Sequence, residues 1–145
     1  MTLPRMPSAR WKSKALIIPG EGVLVVGGGC IISRELSYPK KTLLLCGDPE
    51  GAGQQRWSWS ELPPTLNNRF KPGVAYFKGR VFIAGGNVDN HFDIEQMIYP
   101  LKGKAKPQWT SVSLMELIPA NPYYLVVYDE KLFLICKFLF QSIVK

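Results

Sequence analysis

A chain of 145 residues is long enough for one domain with a buried core. An apolar fraction of 46% and an aromatic fraction of 12%, against 20% charged residues, exclude a typical disordered chain, and 13 glycines and 12 prolines spread between short apolar runs predict many turns and short strands. The net charge of +7 admits an acidic or nucleic-acid partner, whereas a single histidine and three widely spaced cysteines, with no Cys-x-x-Cys pair, argue against a zinc site.

The first fourteen positions hold Arg5, Arg10, Lys12 and Lys14 and no acid. The apolar run Ala15 to Ile18 is broken by Pro19, Gly20 and Glu21 before it reaches the length of a signal peptide. After that turn, Val23 to Val26 lead into Gly27 and Gly28, which predicts a hairpin whose second strand ends in a glycine pair. An insertion around Ser33 to Lys41 follows, then a third strand, Thr42 to Cys46, a polar loop, and Trp57 or Trp59. The same order returns further on. Leu62, Pro63 and Pro64 precede Arg69; Val74 to Phe77 and Val81 to Ala84 flank a turn at Gly79; Gly85 and Gly86 end the hairpin; Ile94 to Tyr99 form a third strand; and Trp109 closes the unit. A third unit begins at Tyr123 to Tyr128, turns at Asp129 to Lys131 and resumes at Leu132 to Ile135, with Cys136 and Lys137 where the glycine pair would stand. The apolar tail from Leu132 to Val144 is 13 residues with Lys137 inside it. That is short of the roughly 20 a membrane helix needs.

Gly28 and Gly86 are 58 residues apart, and Arg10 precedes Gly27 by 17 residues as Arg69 precedes Gly85 by 16. Four short strands in about 50 residues is the period of kelch repeats. The double glycine, then Tyr99, then Trp109 resembles the kelch pattern, which implies four-stranded antiparallel blades of a β-propeller. The expected fold is therefore all-β, an incomplete β-propeller. Its divisions are a flexible N-terminus at 1–5, blade one at 6–61, blade two at 62–116, a partial blade three at 117–137 and a non-kelch tail at 138–145. The first unit departs from the pattern by carrying Leu44 and Leu45 where a tyrosine is expected.

Gly27, Gly28, Gly85 and Gly86 read as structural, since glycine at a strand end takes positive φ and lets chains approach closely. A phosphate-cradling loop at Gly27 would need glycine at position 32, which is Ile32, and no helical periodicity follows. Trp57 or Trp59, together with Trp109 and Tyr99, reads as packing between blades. Arg10 and Arg69 precede the first strand of each blade and read either as solvated loop residues or as partner-binding ones. In some kelch propellers an arginine at this place grips acidic peptides, and the resemblance implies that role here. Asn87, Asp89, Asn90 and His91 fall in a loop where a propeller would meet a ligand, though turn formation explains them equally. Asp93 and Glu95 share a strand face, as any solvent-side pair can. A Ser/His/Asp or Cys/His site would depend on His91, which falls in an expected turn with no identifiable nucleophile partner, and the several-histidine copper centre of some kelch oxidases cannot be assembled from one histidine.

The expected function is a protein-interaction module, not an enzyme, with no cofactor and no metal. Its partner is a protein held through propeller loops, with self-association or assembly with further blades as an added possibility. Longer kelch proteins recruit ubiquitin ligases through a BTB domain or bind actin, and a chain of about two and a half repeats reads as part of such a longer form. Cys30, Cys46 and Cys136, with two of them inside apolar runs, fit reduced thiols and a cytoplasmic setting. The alternative is a basic nucleic-acid-associated domain using Arg5 to Lys14 and the Lys102, Lys104 and Lys106 loop. No aromatic platform accompanies that charge.

Overall fold

The computed structural model describes residues 3–47, 56–89, 93–99, 106–112, 124–136 and 139–144. The first half of the chain contains β1 (Lys14–Ile18), β2 (Gly22–Val26), β3 (Cys30–Ile32), β4 (Glu35–Ser37), β5 (Thr42–Gly47) and β6 (Trp57–Leu62). Then come β7 (Gly73–Phe77), β8 (Arg80–Ala84), β9 (Ile94–Ile98) and β10 (Trp109–Val112), followed by β11 (Tyr124–Tyr128), β12 (Lys131–Cys136) and β13 (Leu139–Val144). The protein is all-β among the described residues. Every strand pairing is antiparallel, in sheets ordered β1-β2-β5-β6, β7-β8-β9-β10 and β11-β12-β13, with β3 and β4 forming a separate hairpin.

The three sheets are stacked in chain order. Ile18, Leu24, Val26 and Leu44 of the first sheet meet Val81, Ile83, Met97 and Trp109 of the second. Ala75, Phe77, Phe82, Ala84 and Ile94 of the second meet Leu125, Leu132, Leu134 and Cys136 of the third. Successive side chains of a strand point to opposite faces, so Val81 and Ile83 serve one junction while Phe82 and Ala84 serve the other. This explains why Val81 to Ala84 are apolar without alternation: β8 is buried on both sides. Val81, Phe82 and Ile83 each contribute about 1.5–3 kcal/mol when fully removed from water.

Strand register aligns the repeats residue by residue. Val25 stands opposite Leu43 and Ile83 opposite Glu95, so Leu43 corresponds to Glu95 and Lys41 to Asp93. The one-residue difference in the arginine-to-glycine spacing lies in the first hairpin turn, where Ile18 faces Gly22 but Phe77 faces Arg80. The insertion after Gly29 is the β3–β4 hairpin, whose turn residues Ser33 and Arg34 take φ of 52° and 70°. Its return leg packs on the second unit through an edge-on contact of Tyr38 with Phe70.

Two strands lie across or beyond the expected divisions. Leu62 belongs to β6 and pairs with Thr42, one residue beyond the expected end of the first unit. The tail at 138–145, expected to lie outside the repeat, supplies β13, which pairs along β12 from Cys136↔Leu139 to Leu132↔Val144. β13 is thus the antiparallel neighbour of β12. No helix among the described residues is long and apolar enough to cross a membrane.

Candidate functional site

The two repeat arginines occupy corresponding positions and have different surroundings. Arg69 is fully buried, with side-chain exposure of 0%. Its guanidinium donates to the Gly85 carbonyl at 2.9 Å, to the Asp93 carbonyl at 3.4 Å and to the carboxylates of Asp93 and Glu95. Glu95 is equally buried and accepts the backbone N–H groups of Leu66 and Asn67 at 2.7 and 3.1 Å. Asp93 accepts the side-chain amide of Asn67 at 2.8 Å. The expectation that Arg69 stands in a loop, free for a partner, is therefore corrected. Two carboxylates of its own unit draw it inside, because a buried charge must be paired and hydrogen-bonded. Asp93 and Glu95 are likewise not a solvent-side pair.

Arg10 makes the backbone half of the same arrangement. It donates to the Gly27 carbonyl at 3.4 Å, to the Lys41 carbonyl at 2.7 Å and to the Ser8 hydroxyl at 3.0 Å. These carbonyls match those of Gly85 and Asp93. The carboxylates do not recur, because the corresponding side chains are Lys41 and Leu43. Among the described residues Arg10 has no ion pair; the nearby Glu61 carboxylate holds the Lys41 ammonium at 2.8 Å. Half-burial pulls the Arg10 guanidinium below its usual pKa, with Cys30 and Glu61 acting in the opposite direction.

Arg10 lines an open cleft of about 470 Å³ together with Ser8, Trp11, Cys30, Ile31 and Ile32. Trp11 is bonded across to Gly29 through both backbone groups, at 3.0 and 2.9 Å, which fixes the cleft floor against the end of β2. Ile31 and Ile32 belong to the β3–β4 hairpin and are 67% and 59% exposed. Large apolar side chains projecting this far, beside a partly desolvated cation, can grip an anionic group flanked by apolar surface.

The glycine pairs sit where these segments converge. Gly27 has φ of 66°, and a Cβ there would fall 2.7 Å from the Arg69 carbonyl oxygen; at Gly86, with φ of 68°, it would fall 2.5 Å from that of Phe70. Of the two candidate tryptophans in the first unit, Trp59 is the counterpart of Trp109. Trp59 stands opposite Leu45 and bonds the Pro4 carbonyl at 3.0 Å, as Trp109 stands opposite Met97 and bonds the Pro63 carbonyl at 3.0 Å. The assignment of Trp57 to that structural place is corrected; it stands opposite Gly47, at the end of its strand. Tyr99 packs against the junction of the first and second sheets.

Asn87 is buried and turned inward: its carbonyl oxygen accepts the Asp89 N–H at 2.9 Å and its amide reaches Asp93 at 3.4 Å. It forms the turn, and it does not present a partner-binding group. Asp89 is exposed. Asn90, His91, Lys102 and Lys104 lie outside the described residues. Sequence reading missed Trp11, Ile31 and Ile32 as cleft walls. The available signal was the pair of isoleucines beside Ser33-Arg34, an apolar dipeptide inside a segment otherwise read as insertion. No protein-family model matches the chain, and no curated protein matches it.

Proposed function

We propose that this chain is a segment of a kelch-type β-propeller that works as a protein-interaction module, taking an acidic side chain of its partner at Arg10. The observation carrying the reading is internal to the molecule. At the corresponding place in the second unit the guanidinium binds two carboxylates, while Arg10 has the same backbone acceptors and, among the described residues, no carboxylate bonded to it. A partner's aspartate or glutamate would complete the set through charge-assisted hydrogen bonds, and Trp11, Ile31 and Ile32 offer apolar contact to its neighbours. The double glycines, the tryptophans at matched register and the stacked four-stranded sheets support the kelch reading. The reading requires no catalytic group. Three free cysteines, two of them buried, fit a reducing cytoplasmic setting.

The test is a fluorescence anisotropy titration with short labelled peptides pairing Asp or Glu with Leu or Ile, beside their Asn/Gln versions. Acidic peptides bind the wild type and lose at least about tenfold in affinity, roughly 1.4 kcal/mol, with Arg10→Met. Equal binding to wild type and Arg10→Met overturns the assignment. If the surface instead serves nucleic acid, binding of an oligonucleotide falls log-linearly and steeply with salt.

A further inference from the structure

We infer that the acidic partner enters the Arg10 cleft as an extended segment, adding an antiparallel strand to the free edge of β3 with an apolar residue directly before its acidic one. The inference rests on the Arg10 reading and deepens it, since it gives the backbone form and the residue order of what is bound.

The cleft lies where two paired segments part. Trp11 and Gly29 exchange both backbone hydrogen bonds, at 3.0 and 2.9 Å, as an isolated antiparallel bridge. Continued by two residues, that pairing would set Ile31 opposite Ala9; no bridge joins them, and both line the cleft. On its other side β3 pairs with β4, Cys30 opposite Ser37, Ile31 opposite Leu36 and Ile32 opposite Glu35. Backbone groups of successive strand residues point to alternate edges. Gly29 points to Trp11, so Cys30 points to β4 and Ile31 points back into the cleft. The hairpin turn leads to the same place. Ser33 and Arg34 both take positive φ, the two-residue turn whose flanking residues, here Ile32 and Glu35, form a hydrogen-bonded pair. Ile31 and Leu36 are then the pair without mutual bonds. Among the described residues, no hydrogen bond across the cleft reaches the Ile31 N–H or carbonyl. β3 also lacks the usual protection of an edge strand, having neither a charged residue nor a proline.

Charge and alternation decide what fits this edge. In an added antiparallel strand, one residue exchanges both bonds with Ile31, and its side chain falls beside exposed Ile31 and Leu36. That place favours an apolar residue. The next residue of the partner stands opposite Cys30, which is buried and close enough to Arg10 to act on its guanidinium. A carboxylate there meets the cation to which, among the described residues, no carboxylate is bonded. Past Cys30 the edge is taken by Trp11, so the added ladder ends at the acidic residue. Main-chain bonds supply affinity in such strand addition, and alternate side chains supply specificity.

Fluorescence anisotropy on the full chain tests this with a short labelled peptide carrying Ile-Glu at its centre. Replacing the amide N–H of its isoleucine by an ester oxygen removes the donor to the Ile31 carbonyl and lowers affinity about tenfold. The same replacement at the glutamate, whose N–H points away from β3, changes affinity less than about threefold. Exchange of the Ile31 amide, followed by NMR, slows at least about tenfold at saturating peptide. Equal losses with the two esters, no loss with either, or an unchanged Ile31 amide overturns strand addition. So does an Ile31 amide already protected without peptide in a chain that sediments at twice 16.3 kDa, which gives the edge to a second copy. Arg10→Met separates this failure from failure of the parent reading. Affinity lost with Arg10→Met but indifferent to the esters leaves the Arg10 site standing and removes the strand. An ester pattern that Arg10→Met leaves untouched refutes the Arg10 assignment, and a wild type that does not bind the peptide overturns both.

Discussion

Replacing Arg69 with methionine keeps an apolar side chain in the interior and deletes the guanidinium that two carboxylates face. Among the described residues, Glu95 would remain buried with the Leu66 and Asn67 N–H groups, and Asp93 would keep its amide contacts. Removing one partner of a buried ion pair costs about 3–5 kcal/mol. That is a large part of the roughly 5–15 kcal/mol that holds a domain together. At about 3 °C per kcal/mol for a chain of this size, Tm falls by about 9–15 °C. Arg10→Met provides the control, since it removes hydrogen bonds to neutral acceptors from a half-buried group and costs about 1 kcal/mol. Urea unfolding followed by tryptophan fluorescence measures both. Within the buried site, Arg69→Met combined with Asp93→Asn should cost less than the two single changes added together, because both remove one interaction. If Arg69→Met and Arg10→Met destabilise to within about 1 kcal/mol of each other, the buried network does not hold the second unit together and the contrast between the repeats is wrong.

Gly27→Ala places a methyl group against the Arg69 carbonyl at a φ of 66° and should cost about 2–4 kcal/mol. Gly20→Ala, with φ of 78° and open space around it, should cost about 1 kcal/mol, and paired thermal melts compare them. Tyr99 has its pKa raised by burial first, then by the Glu21 carboxylate. Below pH about 10 the phenol is neutral folded and unfolded, so its contribution is fully present there. Above that the unfolded chain ionises first and stability is lost as pH rises towards the folded value; Tyr99→Phe should flatten that alkaline slope in urea titrations, and an unchanged slope would refute the assignment.

Much of the architecture was legible because it is written locally. Val23 to Val26 and Val81 to Ala84 are apolar runs closed by glycine pairs, and such runs declare a strand and its end without reference to the rest of the chain. β13 was not legible. Its residues carry no repeat signature, and it is defined by its pairing along β12. Trp57 and Trp59 are two apart and chemically identical, so only the register of β6 on β5 distinguishes the one opposite Leu45 from the one opposite Gly47.

The sequence by itself determined the repeat, the strand content and the positions at which arginine and glycine recur, since these follow from hydrophobic period and turn chemistry acting over a few residues. It could not determine what the two arginines do. Arg69 and Arg10 sit at matching distances from their glycine pairs, and their difference lies 24 to 33 residues further along the chain, in Asp93 and Glu95 against Lys41 and Leu43. Tertiary structure decided that difference, because a guanidinium is drawn inside only where folding brings carboxylates to it; without them, half-burial at a cleft is where it remains.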